Sequence, residues 1–181
     1  MTPSRWYRTT ALRRLSASLA VLACLTGARC QSPEPPRAVA AGRPSGVAPV
    51  PPMERAVMAR VNEIRAESRL PPLQSADDLG SVAREYSCRM AEQGFFSHVS
   101  PAGGTLRERI AQAGRSIAAA GENLAHNVNQ ADPVASAVQG WMKSAGHRDN
   151  ILTREFSLTG VGVCHRDGRG HYFTQIFVRP R

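Results

Sequence analysis

The chain has 181 residues, room for one ordinary domain and an appendage. Its formal charge of +9 is uneven: residues 1–52 hold seven Arg and one Glu, whereas residues 53–181 hold sixteen Lys and Arg against thirteen Asp and Glu. The excess sits mainly in the leader, and the other arginines are scattered singly without aromatic interleaving, so the high pI does not signify nucleic-acid binding.

Arg5, Arg8, Arg13 and Arg14 precede the apolar run 15-LSASLAVLACL-25. A cationic start followed by an apolar stretch too short to span a bilayer reads as an export signal over 1–30. Small residues near Cys24 and Cys30 resemble the box before the lipidated cysteine of bacterial lipoprotein signals. Arg29, just before Cys30, departs from that pattern, and Cys24 has the better box behind a shorter apolar run. The alternative is cleavage by ordinary signal peptidase. Residues 31–52 carry seven prolines in twenty-two positions, which predicts an extended tether. The folded domain is then 53–181, with no internal repeat.

Within it, Met53, Val57, Val61 and Ile64 recur at helical spacing and predict a helix over 53–68, stopped by Pro71-Pro72. Ser75 is placed to cap a second helix, with Leu79, Val82, Ala83, Tyr86 and Met90 as its stripe and Gly94 at its end. Cys88 falls on the side opposite Tyr86. The run 95-FFSHVSP-101 reads as a turn. Thr105 and Glu108 form a capping box for a helix over 106–113. The segment 121-GENLAHNV-128 reads as a short strand or a loop. Asp132-Pro133 starts a helix with Val134, Val138, Trp141 and Ala145 buried, ending near Gly146, and 147–153 reads as one more turn.

Two strands close the chain, 158–165 and 171–179, joined by a turn containing Asp167-Gly168. The second carries large apolar groups on both faces, so the sheet needs cover on both sides. Helices first and a hairpin last predict an α+β fold, a three-layer α-β-α sandwich around a small antiparallel sheet.

Cys88 and Cys164 are the only cysteines in this domain. Export places them in an oxidising compartment, where a disulfide is the expectation and two buried thiols the alternative. The chain has no H-E-x-x-H, C-x-x-C, glycine-rich phosphate loop or G-x-S-x-G. A triad assembled in space is not excluded by sequence. Polar residues beside apolar anchors remain: Ser97-His98, Gly121-Glu122-Asn123 and 146-GHRDN-150. Each is a candidate for a shared cleft, and each also has a purely local reading. Glu122 and Asn123 can satisfy backbone groups, and His147 can be a cation at a helix C-terminus.

The blocks 95-FFSHVSPAGGTLRERIAQAG-114, 121-GENLA-125, 141-WMKSAGHRDNIL-152, 158-LTGVGV-163 and 172-YFTQIF-177 together resemble the CAP superfamily of cysteine-rich secretory, antigen 5 and pathogenesis-related 1 proteins. They match its bacterial secreted branch best. The resemblance implies the same α-β-α sandwich and a cleft of two His and two Glu that in some members binds a divalent metal. His98 and Glu122 match the first His and first Glu. The second Glu falls on Ser144 and the second His on Tyr172, while His147 stands in the bacterial G-H-R-x-N-I-L run. The implied catalytic or metal set is therefore His98, Glu122 and His147, just enough ligands for Zn2+ or another divalent cation if they converge. Ser97, Asn123, Ser144, Arg148, Asn150, Tyr172 and Gln175 are expected to support the cleft.

The family is associated with lipid or sterol binding, extracellular protein partners and hydrolysis. The leading expectation is a monomeric, exported or lipid-anchored binding module for an extracellular or envelope ligand: lipid, glycan or peptide. The alternatives are a metal-assisted hydrolase with Glu122 as general base and a structural envelope protein.

Overall fold

The structure is a computed structural model and describes residues 46–181. The signal segment and the lipidation candidates Cys24 and Cys30 lie outside the described residues. The described chain begins in β1 (Val47–Pro49), followed directly by α1 (Pro51–Glu67). The domain therefore starts before residue 53, inside the stretch read as tether. Pro51 and Pro52 fit because the first helical turn has no intrahelical use for their missing N–H groups.

After β2 (Gln74–Ser75) comes α2 (Asp77–Gln93). Its N-cap is Ala76, not Ser75, which instead pairs with Thr159. Gly94 ends α2 in the left-handed conformation, φ 72°, which glycine adopts without strain. The expected capping box opens α3 (Leu106–Gln112). The 121–128 segment belongs to an eleven-residue strand, β3 (Ile117–Asn127). Asp132 caps α4 (Pro133–Lys143), and α5 (Ala145–Leu152) is a full helix where one turn was expected. The chain closes with β4 (Leu158–Arg166) and β5 (Gly170–Pro180).

The sheet order is β1-β4-β5-β3, with β2 also pairing β4, in parallel. β3, β5, β4 and β1 are mutually antiparallel neighbours. One face carries Val161, Val163, Phe173 and Phe177 against Val57, Val61, Val138, Trp141 and Ile151 of α1, α4 and α5. The other carries Cys164, Tyr172, Ile176 and Val178 against α2 and α3. This is the three-layer sandwich, and the two faces of β5 are the two apolar sets read from its alternation.

α2 lies directly on β4. A Cβ added at Gly160 would sit 2.1 Å from the Leu79 carbonyl carbon, and one at Gly162 2.0 Å from the Arg84 nitrogen. Cys88 and Cys164 form a disulfide that ties helix to strand, with Cα atoms 5.0 Å apart. Cys88 and Tyr86 are both buried, although they leave α2 on different sides. The cause is that α2 is covered twice: the sheet takes Cys88, while the segment after α2 and Arg109 of α3 take Tyr86.

Candidate functional site

The site forms at the outer edge of β3, where the two helical layers approach one another across the sheet rim. Glu122 projects from β3 and its side chain is 3 % exposed. A buried carboxylate needs partners, and each of its oxygens has one. His98 Nδ1 stands 2.8 Å from Oε1. The Arg109 guanidinium donates through Nη2 to Oε2 in a buried ion pair.

Arg109 is also the clamp of the 98–104 loop. Its Nη1 donates to the carbonyls of His98 (3.1 Å) and Gly104 (3.2 Å). Its Cζ lies 3.5 Å from the centroid of the Tyr86 ring, a cation–π contact. Its Nε is buried with no hydrogen-bond partner, and the aromatic face beneath is the compensation the packing offers. Tyr86 Oη donates to the Ser97 carbonyl (2.7 Å), and the Ser97 hydroxyl accepts from Val99 N–H (3.2 Å). Burial raises the Tyr86 pKa, so the hydroxyl stays a donor.

His147 comes from the first turn of α5, not from a helix C-terminus. Its ring centroid is 6.4 Å from that of His98. Burial, then the neighbouring His98, lowers its pKa below the ordinary 6.5, so at neutral pH it is an uncharged donor and acceptor. Asn123 fixes α5 to the strand: its Nδ2 donates to the His147 carbonyl (2.9 Å), and its Oδ1 accepts from Asn150 Nδ2 (2.9 Å). Gly121 admits that Asn150 side chain, since a Cβ there would lie 2.4 Å from its Oδ1.

The structure thus brings together His98, Glu122 and His147, with Ser97, Asn123 and Asn150 as supports. Ser144 joins α4 to α5 and accepts the Arg148 N–H through its carbonyl. Arg148 is exposed and makes no ion pair among the described residues. Two expected supports fall elsewhere. Tyr172 pairs in register with His126 and stacks on its ring at 4.0 Å, four residues along β5 from the strand partner of Glu122. Gln175 lies opposite Asn123 but is buried in the sheet, donating to Thr159 Oγ1 (3.2 Å). Alternation sends it away from Glu122.

His98, Glu122 and His147 are the three residues expected as a metal set. Among the described residues no group of three or more His, Cys, Asp and Glu is arranged to hold a metal ion. The reason is local: Arg109 occupies one oxygen of Glu122 and His98 the other. A cation at this carboxylate would share it with the buried Arg109 guanidinium on Oε2.

Sequence reading missed Arg109. Its signal lay in the helix pattern: Leu106, Arg109 and Ile110 share one side of α3, and a cation on a buried side requires a buried anion.

A central antiparallel sheet covered by helices on both faces, with a His–Glu pair at its β3 rim, defines the class of this domain. The cysteine-rich secretory protein (CAP) family model matches residues 58–177, and the chain belongs to this family. It is 33 % identical over 126 residues to an uncharacterized membrane protein, YlbC, of Bacillus subtilis, covering 70 % of this chain and 34 % of that one. It is 35 % identical over 125 residues to the uncharacterized protein YkwD of the same organism, covering 69 % and 46 %. The chain therefore spans a third to a half of the length of these two relatives. Among solved structures, an extracellular protein containing an SCP domain from Bacillus anthracis matches with a TM-score of 0.62 at 32 % identity, covering 71 % of this chain and 41 % of that one.

Proposed function

We propose that this chain is an exported binding module, and that its His98–Glu122–Arg109 rim receives an extracellular or envelope ligand without chemical turnover. The observation that carries the reading is that each oxygen of the buried Glu122 already has a partner. A general base needs a carboxylate oxygen free to accept the substrate proton. Here one oxygen faces His98 and the other is held by Arg109, which also clamps the loop bearing His98. The pair is a built support, and it presents the His98 side chain 56 % exposed. Phe96 and Val99, large apolar side chains on the same loop, are exposed on either side of it in sequence. An imidazole between exposed apolar groups suits recognition of a ligand with one polar group on an apolar body.

Export is supported by the cationic and apolar leader and by the extracellular description of the Bacillus anthracis relative. Among the described residues no helix is long and apolar enough to cross a membrane.

The test is co-sedimentation of the full chain with peptidoglycan sacculi and with phospholipid vesicles, together with assay of soluble fragments released from each. The expected result is retention on one of the two, lost in His98→Ala, with no fragments released. Release of fragments that stops in Glu122→Gln would overturn the binding-module reading in favour of hydrolysis. Failure to bind either material would also overturn it.

A further inference from the structure

The outer edge of β4 is covered by two short strands that do not meet. β1 pairs with Cys164–Arg166 and β2 with Leu158–Thr159. The hydrogen bonds on either side of the gap show which way the backbone points. Val50 N–H donates to the Val163 carbonyl (2.9 Å), Val163 N–H to Glu54 Oε1 (3.2 Å), and Ala76 N–H to the Thr159 carbonyl (3.0 Å). Residues two apart on a strand direct their peptide groups to the same side. Val161, midway between Thr159 and Val163, therefore turns its N–H and C=O to this edge. Among the described residues no backbone group of β1 or β2 fills the place opposite.

A cavity of about 530 Å3 lies over that place, between α1 and α2. Met58 and Pro51 give it an apolar wall, and Val161 lies at its floor. Gly80 keeps it open. Glycine inside a helix costs about 1 kcal/mol relative to alanine, and no close approach requires it here: an added Cβ would meet only the Val161 oxygen, at 4.0 Å. Glu54 and Arg84 satisfy each other at 2.8 Å. Arg55 and Asp77, also lining the cavity, are exposed and make no side-chain ion pair among the described residues.

We propose that this gap is a second binding site, distinct from the His98 rim, and that it takes a short peptide with free ends. One residue of an antiparallel peptide completes the outer edge by donating its N–H to the Val161 carbonyl and accepting the Val161 N–H on its own carbonyl, the backbone pairing of strand addition. The stretch from Gly160 to Gly162 is about 10 Å long, three residues of extended chain. Asp77 supplies the counter-charge for an ammonium end and Arg55 for a carboxylate end.

Trialanine titrated into 15N-labelled full chain tests this. Saturable shifts are expected at the Val161 and Gly80 amides. They vanish in Gly80→Leu, whose side chain fills the cavity. The surface double variant Arg55→Ala, Asp77→Ala keeps the fold and weakens binding roughly tenfold, the effect of two exposed ion pairs. His98→Ala leaves the shifts unchanged, which separates this site from the rim. Absence of any shift at Val161 with millimolar peptide overturns the proposal, as do shifts that survive both Gly80→Leu and the double variant.

Discussion

Arg109 and Glu122 form an ion pair in which both side chains are buried, 7 % and 3 % exposed. Such a pair resists loss of one partner far more than loss of both, because a lone buried charge has neither water nor counter-ion. Arg109→Met should destabilise the domain by about 3–5 kcal/mol. The double variant Arg109→Met, Glu122→Leu should recover most of that loss. Urea denaturation of both checks it, and equal destabilisation by the single and double variants would show that Arg109 acts through the loop carbonyls instead.

The Cys88–Cys164 bridge joins α2 to β4 across a sequence separation of 76. Closing a loop of that size in the unfolded chain corresponds to about 4.5 kcal/mol in the chain-entropy treatment. Cys88→Ala, Cys164→Ala should lower stability by roughly this amount, and reductant should then have no further effect on the thermal midpoint. A midpoint unchanged by reductant in the wild-type chain would mean that the bridge carries no stability.

His147 gives the stability a pH dependence of definite sign. Its folded pKa lies below the ordinary 6.5, because burial and then His98 disfavour the charged ring. Between the folded value and 6.5 the unfolded chain binds more protons, so stability is full above 6.5 and falls as pH drops through that window. His147→Gln should flatten part of the loss between neutral and mildly acid pH. Burial and the adjacent His165 shift His171 in the same direction, so His147→Gln, His171→Gln should flatten it further. Urea midpoints measured across this range decide the matter; identical slopes in wild type and variants would refute the assignment.

How far the molecule was legible in its sequence depends on what decided each part. The two faces of β5 could be read because alternation of Tyr172, Phe173, Thr174 and Phe177 is a local pattern, and both faces are buried. Thr105 and Glu108 were readable for the same reason, since a capping box closes within one turn. β1 and β2 were not, because strands of three and two residues exist only by pairing with β4. β3 was blurred by its small residues: Ala119, Ala120 and Gly121 carry little strand preference and are held by pairing with β5. At the rim, His98 and Glu122 were two of several polar residues beside apolar anchors, each with a local reading, and the family resemblance singled them out. Arg109, one of many scattered arginines, acquired its role only when folding set it over Tyr86 and beside Glu122.

The contact of α2 with β4 supplies a prediction about the architecture itself. Gly162 has ordinary backbone angles, so its need for glycine is steric rather than conformational. A methyl group there would stand 2.0 Å from Arg84 N and 2.2 Å from the Ala83 carbonyl carbon, both backbone atoms that no side-chain rotation can clear. Gly162→Ala must therefore lift α2 from the strand, straining the bridge at Cys88–Cys164 and the hydrogen bond from Ser87 Oγ to the Gly162 carbonyl. The expected cost is about 3 kcal/mol, at the upper end of overpacking effects. Gly146 makes the control: it lies in α5, and an added Cβ meets nothing within 4 Å. Gly146→Ala should stabilise by about 0.5–1 kcal/mol through helix preference and a more restricted unfolded chain. Chemical denaturation of the two variants should give shifts of opposite sign. Shifts of the same sign would mean that α2 does not rest on the β4 backbone at this point.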